Sequence, residues 1–250
     1  MPEDPLVFLD HVTQHGTDYS GRKLRMFTSV GSRFENCTFN KATVLDFRFG
    51  AGMEQSEYIN CSFDHARLDV GGGFARFVEC SFQNADIRNW ICFAVEMIDC
   101  MFSGTLRQVI FNGTVPAEKR QFVGREHNEF RGNDFSALKL MDVTFRTGID
   151  LTKQRLPSSP DYIYLSDPAP VLARSRQALV EDLTLDPDIR QSALGMVGRM
   201  QETVNKGQKQ LFIRPENYYF HASGGSRAYL ELVFSFLRND GFPIRNRPLN

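Results

Sequence analysis

The chain has 250 residues, 42% of them hydrophobic, enough to bury one large core or two smaller ones. Its formal charge of −1 provides no electrostatic footprint for nucleic acid or an anionic membrane surface, and no apolar run approaches the length of a bilayer span. The acidic opening Met1-Pro-Glu-Asp-Pro lacks an apolar stretch, which predicts no secretory leader and a cytoplasmic protein.

Residues 1–13, carrying Leu6-Val-Phe8-Leu9 and Val12, are read as a cap over one end of a repeat array that spans 14–151. The array opens in degenerate form near Thr17: Tyr19 and Leu24 lie twenty residues before Phe39 and Val44, and Phe27 lies twenty before Phe47. From Phe34 the repeat is plain. Phe34-Glu-Asn-Cys37-Thr-Phe39-Asn-Lys-Ala42-Thr-Val44 returns as Tyr58-Ile-Asn-Cys61-Ser-Phe63-Asp-His-Ala66-Arg-Leu68, then as Phe77-Val-Glu-Cys80-Ser-Phe82-Gln-Asn-Ala85-Asp-Ile87, and fades at Met97-Ile-Asp-Cys100-Met-Phe102. A large apolar residue recurs every five positions, and the unit recurs about every twenty. A five-residue period is neither the 3.6 of a helix face nor the 2 of a flat strand. It fits a chain that turns a corner every five residues and points its large residues inward, each coil covering its apolar edge with the next.

This pattern resembles the pentapeptide-repeat family, whose units centre on Leu or Phe with a small residue two positions earlier. The resemblance implies a right-handed quadrilateral β-helix, and so a mainly β solenoid followed by a smaller, mostly helical C-terminal domain. Its inward central residues would be Phe39, Val44, Phe63, Leu68, Phe82 and Ile87, with Cys37, Ala42, Cys61, Ala66, Cys80 and Ala85 in the small slots. Phe102, Cys100, Phe135 and Leu140 extend the expected core.

Cys37, Cys61, Cys80 and Cys100 share one slot in successive coils, which stacks them roughly 5 Å apart with parallel side chains. No Cys-x-x-Cys pair accompanies them, so reduced, buried thiols acting as small hydrophobes are expected, in keeping with a cytoplasmic compartment.

The coils are interrupted. Gly50 to Glu57 is longer than an ideal return and should bulge outward, and Gly71-Gly-Gly73 absorbs a missing step. After Phe102 the register degrades, and about 112–127 reads as an inserted loop before the repeat recovers at Phe130 to Leu140. Loops on rigid scaffolds carry function, so Glu118, Lys119, Arg120 and Phe122 are candidate contact residues.

Residues 152–170, with Leu156-Pro-Ser-Ser-Pro160, are read as a linker, and 171–250 as the helical domain. Within it, Asp186 and Pro187 predict a helix start, and Gln210 to Phe220 predicts a β-hairpin around Arg214-Pro-Glu-Asn217. A last helix near 226–239 is apolar on most sides. Such a helix is buried, in this chain or against a second copy, and Tyr229, Phe234 and Phe236 are its candidate contact residues.

No catalytic constellation stands out. His11-Val-Thr-Gln-His15 has the i, i+4 spacing of two zinc ligands on a helix but lacks the adjacent glutamate, and neither cofactor nor metal is expected. The function expected is a non-catalytic interaction or scaffold protein with an unidentified protein partner and a C-terminal homodimer contact. The family resemblance implies an alternative, a DNA mimic that modulates a type II topoisomerase (gyrase). Against it, Gly31 to Leu156 carries sixteen acidic and fifteen basic residues, not the strong negative charge of a duplex. A third reading is an enzyme with its site around Arg214, Glu216, Tyr218 and His221.

Overall fold

The computed structural model describes residues 5–219 and 224–240. The chain divides into two compact units, one holding the residues up to Thr144 together with Ile149–Pro157, the other holding Phe145–Gly148 and the described residues from Ser158 on. The first is a parallel β-solenoid, and the second is mainly helical.

Two parallel sheets build the solenoid. One runs through Leu6–Asp10, Met26–Val30, Thr43–Arg48, Arg67–Val70, Ser81–Arg88 and Met101–Asn112, with Asp134–Arg146 paired to the last of these. The other runs through Thr13–His15, Arg33–Glu35, Ser56–Ile59, Phe74–Val78, Ala94–Ile98 and Phe130–Arg131. Each coil stacks on the next in register. Leu24, Val44, Leu68, Ile87 and Leu106 form one buried column, and Phe34, Tyr58, Phe77, Met97 and Phe130 another. A third is a stack of rings: Tyr19, Phe39, Phe63, Phe82, Phe102 and Phe135 follow one another at centroid separations of 4.8, 4.7, 4.7, 4.7 and 4.9 Å. The spacing of paired strands is about 4.8 Å, so one repeat satisfies both the backbone ladder and the ring stack.

The five-residue period has its cause at the corners. Asn36, Asn60, Glu79 and Asp99, each immediately before a cysteine, hold φ between 50 and 54°, and Lys41, His65 and Asn84, each before an alanine, do the same at 54 to 59°. A left-handed residue turns the strand, and the small residue after it fits the inside of the bend. The thiols do more than fill space. Cys37, Cys61, Cys80 and Cys100 are unbridged, and each Sγ donates to the carbonyl two residues earlier at 3.4 to 3.5 Å.

The solenoid strands start earlier than expected. Leu6–Asp10 pairs in parallel with Met26–Val30, and Thr13–His15 with Arg33–Glu35, so the segment read as a cap over residues 1–13 already follows the coil path from Leu6. The twenty-residue offset was there to be seen, but the residues at Phe8 and Val12 lack the small-then-large signature of the later coils. The return segment after Phe49 leaves the sheets, with Met53 exposed. The insertion is not a plain loop: it contains helix α1 (Ala117–Val123), ended by Gly124 at φ 68°, whose N–H donates to Arg120.

The boundary between the units falls at Pro157 and Ser158, inside the stretch 152–170 read as a linker, whose two sides are ordered parts of the two units. Leu151–Lys153 forms a 3-10 turn, Gln154 is buried against Asn133 (2.9 Å) and the Phe130 carbonyl (2.9 Å), and Arg155 bridges to Asp134, all within the solenoid unit. Ile163–Leu165 is a strand of the second unit, paired antiparallel with Leu211–Ile213. That pairing replaces the hairpin expected at 210–220. Pro215 accepts from Tyr218 N–H at 2.9 Å and opens a helical turn at Glu216–Tyr219, while Leu211–Ile213 finds its partner far back in the chain. Helices α2 (Pro168–Glu181), α3 (Pro187–Asn205), α4 (Glu216–Tyr219) and α5 (Gly224–Asp240) complete the unit around a core that includes Leu172, Leu179, Met196, Val197, Leu230, Val233, Phe234 and Leu237. Asp186 caps α3 through hydrogen bonds from the Asp188 and Ile189 N–H groups, with Pro187 at the first helical position.

Candidate interaction surface

The insertion is fastened to the solenoid at three levels. Its ends pair with each other, Thr114 opposite His127, with Val115 N–H donating to Glu126 and Asn128 N–H to Gly113 at 2.8 Å each. Its apolar side chains Val115 and Val123 pack on Phe74 and Ala94. Beneath lies a buried ionic knot. Glu96, 7% exposed in its side chain, receives Arg76 Nη1 at 2.9 Å, Arg125 Nε at 3.3 Å and Gln55 Nε2 at 3.2 Å, and Arg125 Nη1 donates to Gln55 at 2.7 Å. Burial lowers the pKa of Arg125, Glu96 opposes that shift, and the neighbouring Arg76 adds to it. A charge pair this enclosed holds only because every partner is in place.

Above this anchor, α1 lies beside a groove of about 490 Å³ bounded by Val70, Gly71 to Gly73, Phe74, Ile91, Phe93 and Lys119. The Lys119 ammonium lies over two rings, 5.2 Å from the centroid of Phe74 and 5.3 Å from that of Phe93. On the groove wall Ile91 at 41% and Phe93 at 42% remain open to solvent, as does Phe122 at 40% on α1. Of the other loop candidates, Glu118 is exposed, while Arg120 folds back onto the Val115 carbonyl (3.1 Å) and Glu126 (3.0 Å). The sequence singled out Lys119 and Phe122 as candidates, and not Ile91, Phe93 or the glycines that line the same groove as Lys119. Their signal was weak, an apolar pair flanking a cysteine slot and a glycine run explained as a lost residue.

A second, larger groove of about 790 Å³ crosses the other sheet. It carries Lys41, Arg67, Arg88 and Arg107 with Asp69 and Asp86, and two of the arginines are already paired: Arg88 to Asp69 at 3.1 Å and Arg107 to Asp86 at 3.2 Å. Charges alternate on the opposite sheet as well, where Arg33, Glu57, Arg76 and Glu96 stand in register on successive coils.

The remaining candidates separate. Phe234 is fully buried in the core of its own unit, and Tyr229 and Phe236 are half-buried against that core, so the apolar face of the last helix is spent inside this chain. That corrects Phe234 as a contact residue, because a helix this apolar was accommodated by α2 and α3. His11 and His15 do not share a helical face. His11 sits in a left-handed turn between Asp10 (2.6 Å) and Glu54 (2.7 Å), and His15 pairs with Glu35 (3.0 Å) from a strand. Among the described residues no cluster of three or more His, Cys, Asp or Glu side chains could hold a metal ion. Of the proposed enzyme set, Glu216 and Tyr218 lie on α4, Tyr218 packs edge-on against Phe234 (5.4 Å), and His221 lies outside the described residues. No protein-family model matches the chain, and no curated protein matches it.

Proposed function

We propose that this is a non-catalytic protein-interaction or scaffold protein, built on a pentapeptide-repeat β-helix of the right-handed quadrilateral kind. The repeat reading rests on inward large residues at five-residue spacing and on left-handed corners before each small slot. The functional reading is carried by one observation: an insertion locked onto a rigid scaffold through Glu96 and Arg125 sets Lys119 over exposed Phe93, on a groove that exposed Ile91 also lines, and carries an exposed Phe122 of its own. Anchored apolar side chains on a surface mark contact sites for other proteins, because their burial releases water without ordering a loose loop. Duplex mimicry would require a run of carboxylates, whereas these faces alternate in sign.

The test is affinity for a partner captured by the intact protein and identified by mass spectrometry. Phe122→Asp and Phe93→Asp, each with an unchanged circular dichroism spectrum, should weaken that partner by about tenfold or more, as aromatic anchors do. Unchanged affinity in both variants would place the contact elsewhere and overturn this reading.

A further inference from the structure

The groove beside α1 has a chemistry more specific than an apolar patch. Its walls are Val70, Phe74, Ile91 and Phe93, and its one unneutralised charge is Lys119. Asp69, at the rim, is held by Arg88 (3.1 Å) and Asn89 (2.7 Å). The Lys119 ammonium has no carboxylate partner among the described residues and is held by two ring faces, which orient it without satisfying its three donors. Two further donors lie along the same groove. Gly71 N–H bonds Phe47 and Phe74 N–H bonds Gly50, but the N–H groups of Gly72 and Gly73 between them have no acceptor among the described residues. Both glycines have positive φ, 88 and 138°, and a Cβ at Gly73 would come within 2.7 Å of the Gly50 backbone. Both glycines line the groove, and an unpaired backbone N–H is a strong donor for an anionic group.

One cation, two adjacent free amides and an apolar wall describe a receptor for a carboxylate attached to an apolar side chain. We infer that the groove takes the C-terminal residue of a partner polypeptide, its carboxylate on Lys119 and the Gly72–Gly73 amides, its aliphatic side chain against Ile91 and Phe93. Capture of a terminal carboxylate by backbone amides is an established mode of peptide recognition. The positive groove matches the carboxylate's charge, and its open side lets the rest of a chain leave. This inference rests on the interaction reading above and names the class of partner.

The experiment is an NMR titration of the isotope-labelled full chain with the probe acetyl-Ala-Ala-Leu bearing a free carboxylate. Saturable shifts at the amides of Gly72, Gly73, Ile91 and Phe93 are expected. The same peptide with a C-terminal amide should bind about tenfold or more weakly, as should the free-acid peptide to Lys119→Met, which keeps the stem and removes the charge. Ile91→Glu, on the exposed wall, supplies a second variant that should lose binding. Equal binding of acid and amide, shifts located elsewhere, or no saturation would overturn the site. So would 4-methylpentanoate binding as tightly as the peptide, which would make the ligand a small carboxylate. If the groove fails while Phe122→Asp still abolishes binding of the captured partner, only the terminal-carboxylate site falls and the interaction reading stands.

Discussion

Phe82 and Phe102 occupy the same position on successive coils, paired in register, with ring centroids 4.7 Å apart and planes within 2° of parallel. Phe82 also stacks on Phe63 at 4.7 Å and meets Phe77 edge-on at 5.7 Å, and it is fully buried. Removing it therefore opens a hole in the middle of a column. Phe82→Ala should destabilise the solenoid by about 3 to 5 kcal/mol, the range for a buried aromatic truncated to alanine. Chemical denaturation checks this, and an unchanged midpoint would mean that the ring column does not carry the stack.

The anchor of the insertion should behave differently from the column. Glu96→Ala leaves Arg125 and Arg76 without their shared carboxylate, and breaking one side of a buried pair costs about 3 to 5 kcal/mol. The loss should be local at first. Hydrogen exchange is expected to speed up across residues 113–129 while the amides around Phe63 and Phe82 stay protected. Uniform loss of protection would show instead that the knot supports the whole coil.

His11 gives the solenoid a mild pH dependence. Its pKa is raised by hydrogen bonds to Glu54 first and Asp10 second, and by the charges of both. A raised folded pKa means that the stabilisation is complete below the ordinary value of 6.5 and is lost as pH rises through the higher folded value. The side chain is well exposed, so the effect is a small shift in melting temperature. Thermal melts from about pH 6 to about pH 9 should show a decline that His11→Gln flattens. A wild-type slope equal to that of the variant would remove His11 from the account.

The cysteines should be silent in the native state. Burial pushes the Cys80 and Cys92 thiols well up, away from the reactive thiolate. Ellman's reagent is expected to modify neither in the folded protein and all five cysteines after denaturation. Rapid native labelling at Cys80 would show that the coils open.

The repeat made the solenoid legible because it is written in the same chemistry each time. A large residue at Phe39, Phe63 and Phe82 and a small one at Cys37, Cys61 and Cys80 must face inward on every coil, so one-dimensional spacing already encodes the column. The N-terminal segment read as a cap rather than as part of the coil because Leu6–Asp10 carries the offset without the signature. The hairpin failed for another reason: Leu211–Ile213 is extended in its own right, but which strand it pairs with depends on a segment nearly fifty residues earlier.

Sequence by itself thus determined the coil, its period, its buried thiols and the helical cap signals at Asp186 and Pro187, all of which arise from local or regularly repeated chemistry. Only tertiary structure decided what the irregular residues do. Glu96 and Arg125 meet across an insertion, Lys119 is brought over Phe74 and Phe93, and in the groove they line two glycine amides have no acceptor among the described residues. None of these relationships repeats along the chain, so no spacing announces them; they exist because the folded backbone places distant residues within bonding distance.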